Sequence, residues 1–323
     1  MTGQLQRAPT AQGVTRAAAK IAAILPPTPL LPLDIDGVTV WCKAECLQPI
    51  GAFKIRGAWH RLTEIPVTDR KRGIVGVSSG NHAQGVAWAA QQLGIAATIV
   101  MPRDAPRIKL ARTRALGATV ILYDRYIEDR DDVAARLCAE SGATLVHAFA
   151  DPWIIEGQGT TGLEIAVQMQ ERAGGPPTRI ITPCGGGGLG AGIALACPDA
   201  EIVLVEPEGW DDVGKSLEAG EIRDVGPNPP PTTCDALQTM ATRPINFTIL
   251  KERCRPGLAV TSQEVRAAQR IAFDRLRLVV EPGGAAALAA VLADKANTDG
   301  RTAVVLSGGN TDAAAFADVL AAT

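Results

Sequence analysis

The sequence predicts an α/β protein of two domains, each an open, mostly parallel, twisted sheet with helices on both faces. Three observations lead there. Apolar runs of strand length, bounded by turn residues, alternate with longer Ala- and Leu-rich segments, the pattern of βαβ units. At 323 residues the chain is long for one compact core, which favours two domains or a large α/β unit with a smaller companion. Polar turns rich in glycine follow several of the predicted strands, and open α/β sheets gather such turns at one end.

The first predicted strand is VTVWCKAE (38–45). GIVGVS (73–78) precedes a helix over 81–93, ATIVMP (97–102) a helix over 104–116, and ATVILYD (118–124) a helix over 130–141. TLVHAF (144–149) closes this block. RIITPC (179–184) leads into a helix over 189–196, EIVLVEP (201–207) follows, and a helix over 282–294 precedes TAVVLSGG (302–309). The order implies parallel sheets covered on both faces. Residues 73–150 are expected to form a small mobile domain, and 1–65 with 151–323 a large one built from both ends of the chain. GPNPPPTT (226–233) reads as a proline-rich surface loop inside the large domain, because strand and helix signals resume on either side.

Lys plus Arg number 32 and Asp plus Glu 34, a formal charge of −2 that leaves no electrostatic footprint for nucleic acid or an anionic membrane. The N-terminus lacks an apolar signal core, and no run of 18 apolar residues occurs. The seven cysteines (42, 46, 138, 184, 197, 234, 254) are odd in number and scattered, as expected of reduced thiols in a cytoplasmic protein. Cys42 and Cys46 have no second Cys or His pair at zinc-site spacing. Small-molecule chemistry is what remains.

PCGGGGLGAG (183–192) stands between a predicted strand and a predicted helix. Its glycines let backbone wrap an anion, and the helix that follows offers unpaired N–H groups and the positive end of its dipole. This reads as a phosphate cradle, with a glycine-rich turn of no ligand consequence as the ordinary alternative. Gly185, Gly187 and Gly190 also satisfy G-x-G-x-x-G, and Glu206 ends the next strand near where an acid would hold a ribose, so a nicotinamide-dependent oxidoreductase stays open on this motif alone. No Gly-Lys-Ser or Gly-Lys-Thr closes the run, which excludes a Walker loop. SSGNHAQG (78–85) forms a second anion-binding turn at a helix start, and SGGN (307–310) presents the hydroxyl of Ser307 after an apolar strand. In GAFKIRGA (51–58), Lys54 sits between Phe53 and Ile55. A snorkelling lysine at the rim of a core explains that placement, and so does an amine kept for chemistry. Phosphate cradle, carboxylate turn, single hydroxyl and amine together suit a phosphorylated aldehyde cofactor that forms a Schiff base with lysine.

LQPIGAFKIRGA (47–58), SSGNHAQGVA (78–87), GQGTTGLEI (157–165), PCGGGGLGAG, EPGGAAALAA (281–290) and SGGN occur in that order. In these motifs the chain resembles the serine/threonine dehydratase and serine racemase family of pyridoxal-phosphate enzymes, with the tryptophan synthase β-subunit type of fold (fold type II). The resemblance implies Lys54 holding pyridoxal 5'-phosphate as an internal aldimine, Phe53 against the ring, and Asn81 on the ring hydroxyl. It implies Gly185, Gly186, Gly187, Gly188 and Leu189 on the phosphate and Ser307 facing the ring nitrogen. Ser78, Ser79, Asn81 and His82 belong to the turn that holds the substrate carboxylate; His82 can equally be a packed neighbour. Ser79 matches the racemase acid/base on the face opposite the lysine. Glu206, the Trp210 carbonyl and Asp212 match a divalent-cation loop suited to Mg²⁺ or Ca²⁺, and an acidic surface turn is the ordinary alternative.

The activity implied is dehydration of a small 3-hydroxy amino acid, L-threonine or L-serine first, to a 2-oxo acid and ammonia by α,β-elimination, in a homodimer. A neutral serine at the ring nitrogen delocalises the Cα carbanion less than an aspartate would, which favours prompt loss of the β-substituent. Alternatives are a serine or aspartate-type racemase, and a dehydratase of 3-hydroxyaspartate or phenylserine. Arg130 aligns with a racemase arginine at the site entrance, Glu281 is placed on the floor, and the loop CDALQTMATRPINF (234–247) is expected to govern the side chain accepted at Cβ.

Overall fold

The computed structural model describes residues 7–78, 80–105, 107–124, 127–255 and 257–321. Helix α1 (Ala11–Ala22) leads to strands β1 (Leu30–Ile35) and β2 (Val38–Ala44), then α2 (Lys54–Thr63) and the single turn α3 (Val67–Arg70). Next come β3 (Ile74–Val77), α4 (Asn81–Leu93), β4 (Ala97–Pro102), α5 (Arg107–Ala115), β5 (Thr119–Tyr123), α6 (Arg130–Ser141) and β6 (Thr144–Val146). The chain continues through α7 (Pro152–Arg172), β7 (Arg179–Pro183), α8 (Gly188–Ala196), β8 (Glu201–Pro207), α9 (Asp212–Ala219) and α10 (Pro244–Arg253). It ends with β9 (Leu258–Val260), α11 (Ser262–Leu276), α12 (Pro282–Leu292), β10 (Thr302–Leu306) and α13 (Ala313–Ala321).

Among the described residues these strands make a six-stranded sheet, order β1-β2-β10-β7-β8-β9, and a four-stranded sheet, order β5-β4-β3-β6. All pairs are parallel except β1 with β2. The predicted α/β class with parallel, helix-covered sheets is therefore the observed one. The last strand, β10, inserts between β2 and β7. Because the three run in parallel, the lysine segment after β2, SGGN after β10 and the glycine run after β7 leave the sheet side by side at one end.

Burial on both faces explains the unbroken apolar strands. In β10, Val304 and Leu306 join the core beneath the Ala-rich α12, while Ala303 and Val305 face the core that holds Ile155 of α7 and Ile193 of α8. Each buried aliphatic side chain contributes about 1.5–3 kcal/mol.

Two features escaped the sequence reading. Strand β1 contains Pro32, which argues against a strand interior, and it lies at the sheet edge, where proline is tolerated. Helix α7 carries Gly157, Gly159 and Gly162, which lower helix propensity. Tertiary packing needs them: a Cβ on Gly157 would stand 2.5 Å from the Cα of Gly57 in α2, and one on Gly159 would stand 2.5 Å from the carbonyl oxygen of Gly192 in α8. Asp151 starts the helix by accepting hydrogen bonds from the N–H groups of Trp153 and Ile154, with Pro152 in its first turn.

Beneath the lysine segment lies a buried ionic cluster. Arg56 is fully buried and bridges Glu45 (Nε to Oε2 2.8 Å, Nη2 to Oε1 2.7 Å) and Glu164 (Nη1 to Oε1 2.6 Å), while Lys43 donates to Glu164 (2.6 Å), Gln168 and the Thr28 carbonyl. Burial alone would raise the Glu45 pKa, but the charge and hydrogen bonds of Arg56, helped by Lys43, outweigh it and hold it at about 2. The cluster ties α2 to β2 and α7. Arg56→Met leaves two carboxylates without their main partner, so urea titration should show a loss of about 3–5 kcal/mol in unfolding free energy; an unchanged midpoint would refute the role. Since the folded pKa of Glu45 is depressed, its contribution is present above the unfolded value of ~4.3 and is lost as pH falls towards about 2.

Candidate active site

Lys54 is the first residue of α2 and is placed by the backbone around it. The N–H of Phe53 donates to the Ser307 carbonyl (3.1 Å), that of Gly309 donates to the Gly51 carbonyl (2.8 Å), and Ala52 bridges Gly308 in antiparallel fashion. Gly51 has φ +72°, and a Cβ there would meet the Asn310 amide oxygen at 2.6 Å, so both its conformation and its neighbour require glycine. The Lys54 ammonium donates to the Ala148 carbonyl at 2.8 Å and lies 5.2 Å from the centre of the Phe53 ring. Among the described residues no carboxylate pairs with it, and desolvation lowers its pKa to about 8. Half-buried in the cleft and held on a backbone carbonyl, the amine is not directed into bulk water as a rim lysine would be.

Opposite the amine runs Gly185–Gly188. Gly187, at φ +85°, is the N-cap of α8 and supplies no capping side chain. The loop is packed from behind: a Cβ on Gly186 would stand 2.4 Å from the Phe149 ring, and the Gly186 carbonyl accepts from the Thr242 hydroxyl at 3.1 Å. The first N–H groups of α8 are left for an anion, so the loop fits a phosphate. Helix α4 also begins on a glycine, Gly80, without a side-chain cap, and its turn is steadied by the Gly80 N–H donating to the Ser78 hydroxyl at 3.1 Å. By contrast α1, α6, α7 and α11 are capped by Thr10, Asp129, Asp151 and Thr261.

Phe53, Lys54, Ser78, Asn81, His82, Gly185 to Gly188, Leu189 and Ser307 all line one cleft between the two sheets. Ser79 lies outside the described residues. His82 points its Nε2 at the Val146 carbonyl (3.1 Å), and burial, with the charge of Lys54 nearby, lowers its pKa to about 3, so the ring is a neutral, packed wall. Asn81 donates to Glu281 at 2.5 Å, and burial pushes the Glu281 carboxyl up to about 7 against the pull of Lys109.

Several lining residues escaped sequence reasoning. TLVHAF was read as strand to its end, yet β6 stops at Val146. His147 then accepts from the N–H groups of Phe149 (3.2 Å) and Ala150 (2.9 Å), which turns the chain and stands Phe149 behind the glycine loop. Lys109 of α5 pairs with Asp235 of the loop 234–247, and both face the cleft. Nothing in the local sequence of α5 marks this pairing, which spans 126 residues.

Glu206, Trp210 and Asp212 are not in the cleft lining. Nor do they form a surface turn: Glu206 and Asp212 are fully buried. The Glu206 carboxylate accepts from the N–H groups of Val213 (3.1 Å) and Gly214 (2.8 Å) and is buried away from the cleft, where it cannot meet a ribose, which removes the support for an oxidoreductase. Asp212 accepts from the Thr242 N–H (3.1 Å) through one oxygen; the other is buried without a hydrogen-bond partner. Burial, then the neighbouring acid, raises the Glu206 pKa well above the usual range, and burial raises that of Asp212 to about 7. Two buried acids with an orphaned oxygen fit a hard cation, although among the described residues no cluster of three His, Cys, Asp or Glu ligands exists, so a carbonyl such as that of Trp210 would have to complete it.

The model of the pyridoxal-phosphate dependent enzymes matches residues 21–308. The L-threo-3-hydroxyaspartate ammonia-lyase of a Pseudomonas species is 38% identical over 95% of this chain and 97% of its own. Among solved structures, the T.th. threonine deaminase is 43% identical with a TM-score of 0.87, covering 94% of this chain and 99% of its own. Maize serine racemase is 34% identical with a TM-score of 0.90, covering 97% of each chain. The chain belongs to the pyridoxal-phosphate dependent enzymes, as its motifs implied, and it has the fold type II architecture of these structures.

Borohydride reduction of the pyridoxal-phosphate-loaded protein should fix the cofactor on Lys54, with Lys54→Ala unlabelled; label elsewhere would remove the lysine from the site. Capture by the cofactor-free chain requires the neutral amine, so its rate should rise as pH passes through about 8 and level off above it. Gly186→Ala, which must displace Phe149, should weaken pyridoxal-phosphate binding by about tenfold or more in a fluorescence titration.

Proposed function

We propose that the chain is a pyridoxal-phosphate-dependent ammonia-lyase that converts L-serine or L-threonine to a 2-oxo acid and ammonia. The observation that carries this reading is the desolvated Lys54 amine, facing a glycine phosphate loop across one cleft and paired with no acid among the described residues. Bound there, pyridoxal phosphate supplies the electron sink for charge at Cα. The protein's own groups do the rest. Gly185 to Gly188 with Leu189 hold the phosphate at the start of α8. Phe53 packs on the ring, Asn81 meets its hydroxyl, and Ser307 gives its nitrogen a neutral partner. The turn at Ser78, Ser79 and Asn81, with His82 packed behind it, would hold the substrate carboxylate at the start of α4. With the cofactor held there, Lys54 would take the Cα proton and pass it to the β-hydroxyl, which would leave as water; a water molecule would then take the place of the nitrogen, releasing ammonia.

Serine and threonine come first because the cleft cations other than Lys54 already have a neighbouring acid. Lys109 is paired with Asp235, and Arg130 stands 3.9 Å from Asp131. L-threo-3-hydroxyaspartate is the second reading. It is supported by the loose geometry and exposure of Arg130 at the cleft, and by the Pseudomonas relative's named substrate. We further propose residues 73–150 as a small domain that moves over the substrate, a cytoplasmic homodimer, and a Mg²⁺ or Ca²⁺ ion at Glu206, the Trp210 carbonyl and Asp212. The resemblance supports the first two. Seven free thiols suit a reducing compartment. The unpartnered Asp212 oxygen supports the ion. Racemisation is a side activity in this reading and rests on Ser79.

An ammonia-release screen over serine, threonine, 3-hydroxyaspartate and 3-phenylserine stereoisomers, with and without Mg²⁺, tests the assignment. Turnover should be highest with L-serine or L-threonine and depend on added cofactor; no release from any of these would overturn the reading. Under the second reading, Arg130→Ala should raise the KM for L-threo-3-hydroxyaspartate about tenfold or more while changing that for serine less than about twofold.

A further inference from the structure

Asn310, the last residue of SGGN, joins three segments of the chain. Its amide nitrogen donates to the Ile50 carbonyl (2.8 Å), just before the lysine segment, and to the Asn81 side-chain oxygen (2.9 Å). Its own oxygen accepts from Arg112 of α5 at 2.9 Å. An amide has two donor hydrogens, and both are used; the guanidinium takes the oxygen, so the group has one permitted orientation. That orientation fixes the next amide. With its oxygen occupied by Asn310, Asn81 must turn its nitrogen the other way, where one hydrogen goes to Glu281 at 2.5 Å and one is left over.

We propose that Asn310 and Arg112 are positioning residues that orient the Asn81 amide, so that an N–H rather than a carbonyl meets the ring oxygen of the cofactor. The inference rests on the reading of the cleft as a pyridoxal-phosphate site. If Asn81 were inverted, it would set an acceptor against an acceptor, and the ring oxygen would lose its donor. Arg112 comes from the four-stranded unit and Asn310 from the end of β10 in the six-stranded one. Three residues before Arg112 on α5, Lys109 reaches Asp235 across the same junction. Seating α5 on the larger unit and orienting Asn81 are therefore one event.

The variants Asn310→Ala, Asn310→Asp and Arg112→Met test this by pyridoxal-phosphate affinity and by the pH midpoint of the bound cofactor's visible band, with thermal melts as a folding control. Asn310→Ala should weaken cofactor binding by about tenfold. Asn310→Asp keeps volume and the contact to Arg112 but turns both donors into acceptors, so it should be impaired at least as much and should shift the band midpoint. Arg112→Met, at an exposed position, should weaken binding by about threefold and add nothing in the Asn310→Ala background. Wild-type affinity and midpoint in both Asn310→Asp and Arg112→Met would overturn the proposal, and Arg112→Met decides alone if the Asn310 variants do not fold. If the wild-type chain itself captures no cofactor on Lys54, the reading of the site has failed instead.

Discussion

Two backbone hydrogen bonds carry the architecture of the site: Phe53 N–H to the Ser307 carbonyl, and Gly309 N–H to the Gly51 carbonyl. They stitch the segment after β2 to the segment after β10, so that Lys54 and Ser307 line the same cleft, and the Asn310 amide adds a third tie at the Ile50 carbonyl. Everything else is arranged to allow this contact. The insertion of β10 between β2 and β7 brings the ends together. The left-handed Gly51 lets the chain turn without striking Asn310. Arg56, two residues after the lysine, anchors the helix that follows in a buried pocket of carboxylates.

Burial acts on Glu45, Glu281 and Lys54 alike, and the partner decides the result. Glu45 and Glu281 are equally inaccessible, yet one is held at about 2 and the other pushed to about 7. Arg56 grips the first directly, whereas the second has an amide at one oxygen and no hydrogen-bond partner at the other. Lys54 shows the same physics with the sign reversed: lacking an acid, its amine loses protons more readily. A buried charge is stabilised where the fold must be rigid and left uncompensated where a proton or a ligand must come and go.

Much of this was legible in the sequence, because the most informative residues were glycines and polar groups at strand ends. The runs at 185–188 and 307–310 and the turn at 78–82 declare a demand on backbone that few structures other than a ligand cradle make. What could not be read depended on distant partners. The buried state of Glu206 and Asp212 follows from where α9 and the loop at Thr242 fold back, and an acidic stretch in sequence carries no sign of it. The same holds for Asn310: its motif was recognised, but its partners at positions 50, 81 and 112 come together only in three dimensions. Helix α7 was hidden by the very glycines that let it touch α2 and α8.

The bare starts of α4 and α8 set a dependence of the protein on its environment. Thr or Asp side chains close the starts of α1, α6, α7 and α11, whereas α4 and α8, the two helices that begin on glycine at the cleft, have no side-chain cap. An anion that settles there acts as the missing capping residue, contributed from outside the polypeptide. On the proposed reading of the site, a bound phosphate would complete the start of α8, and by mass action the resistance of the fold to unfolding would rise and fall with the cofactor concentration.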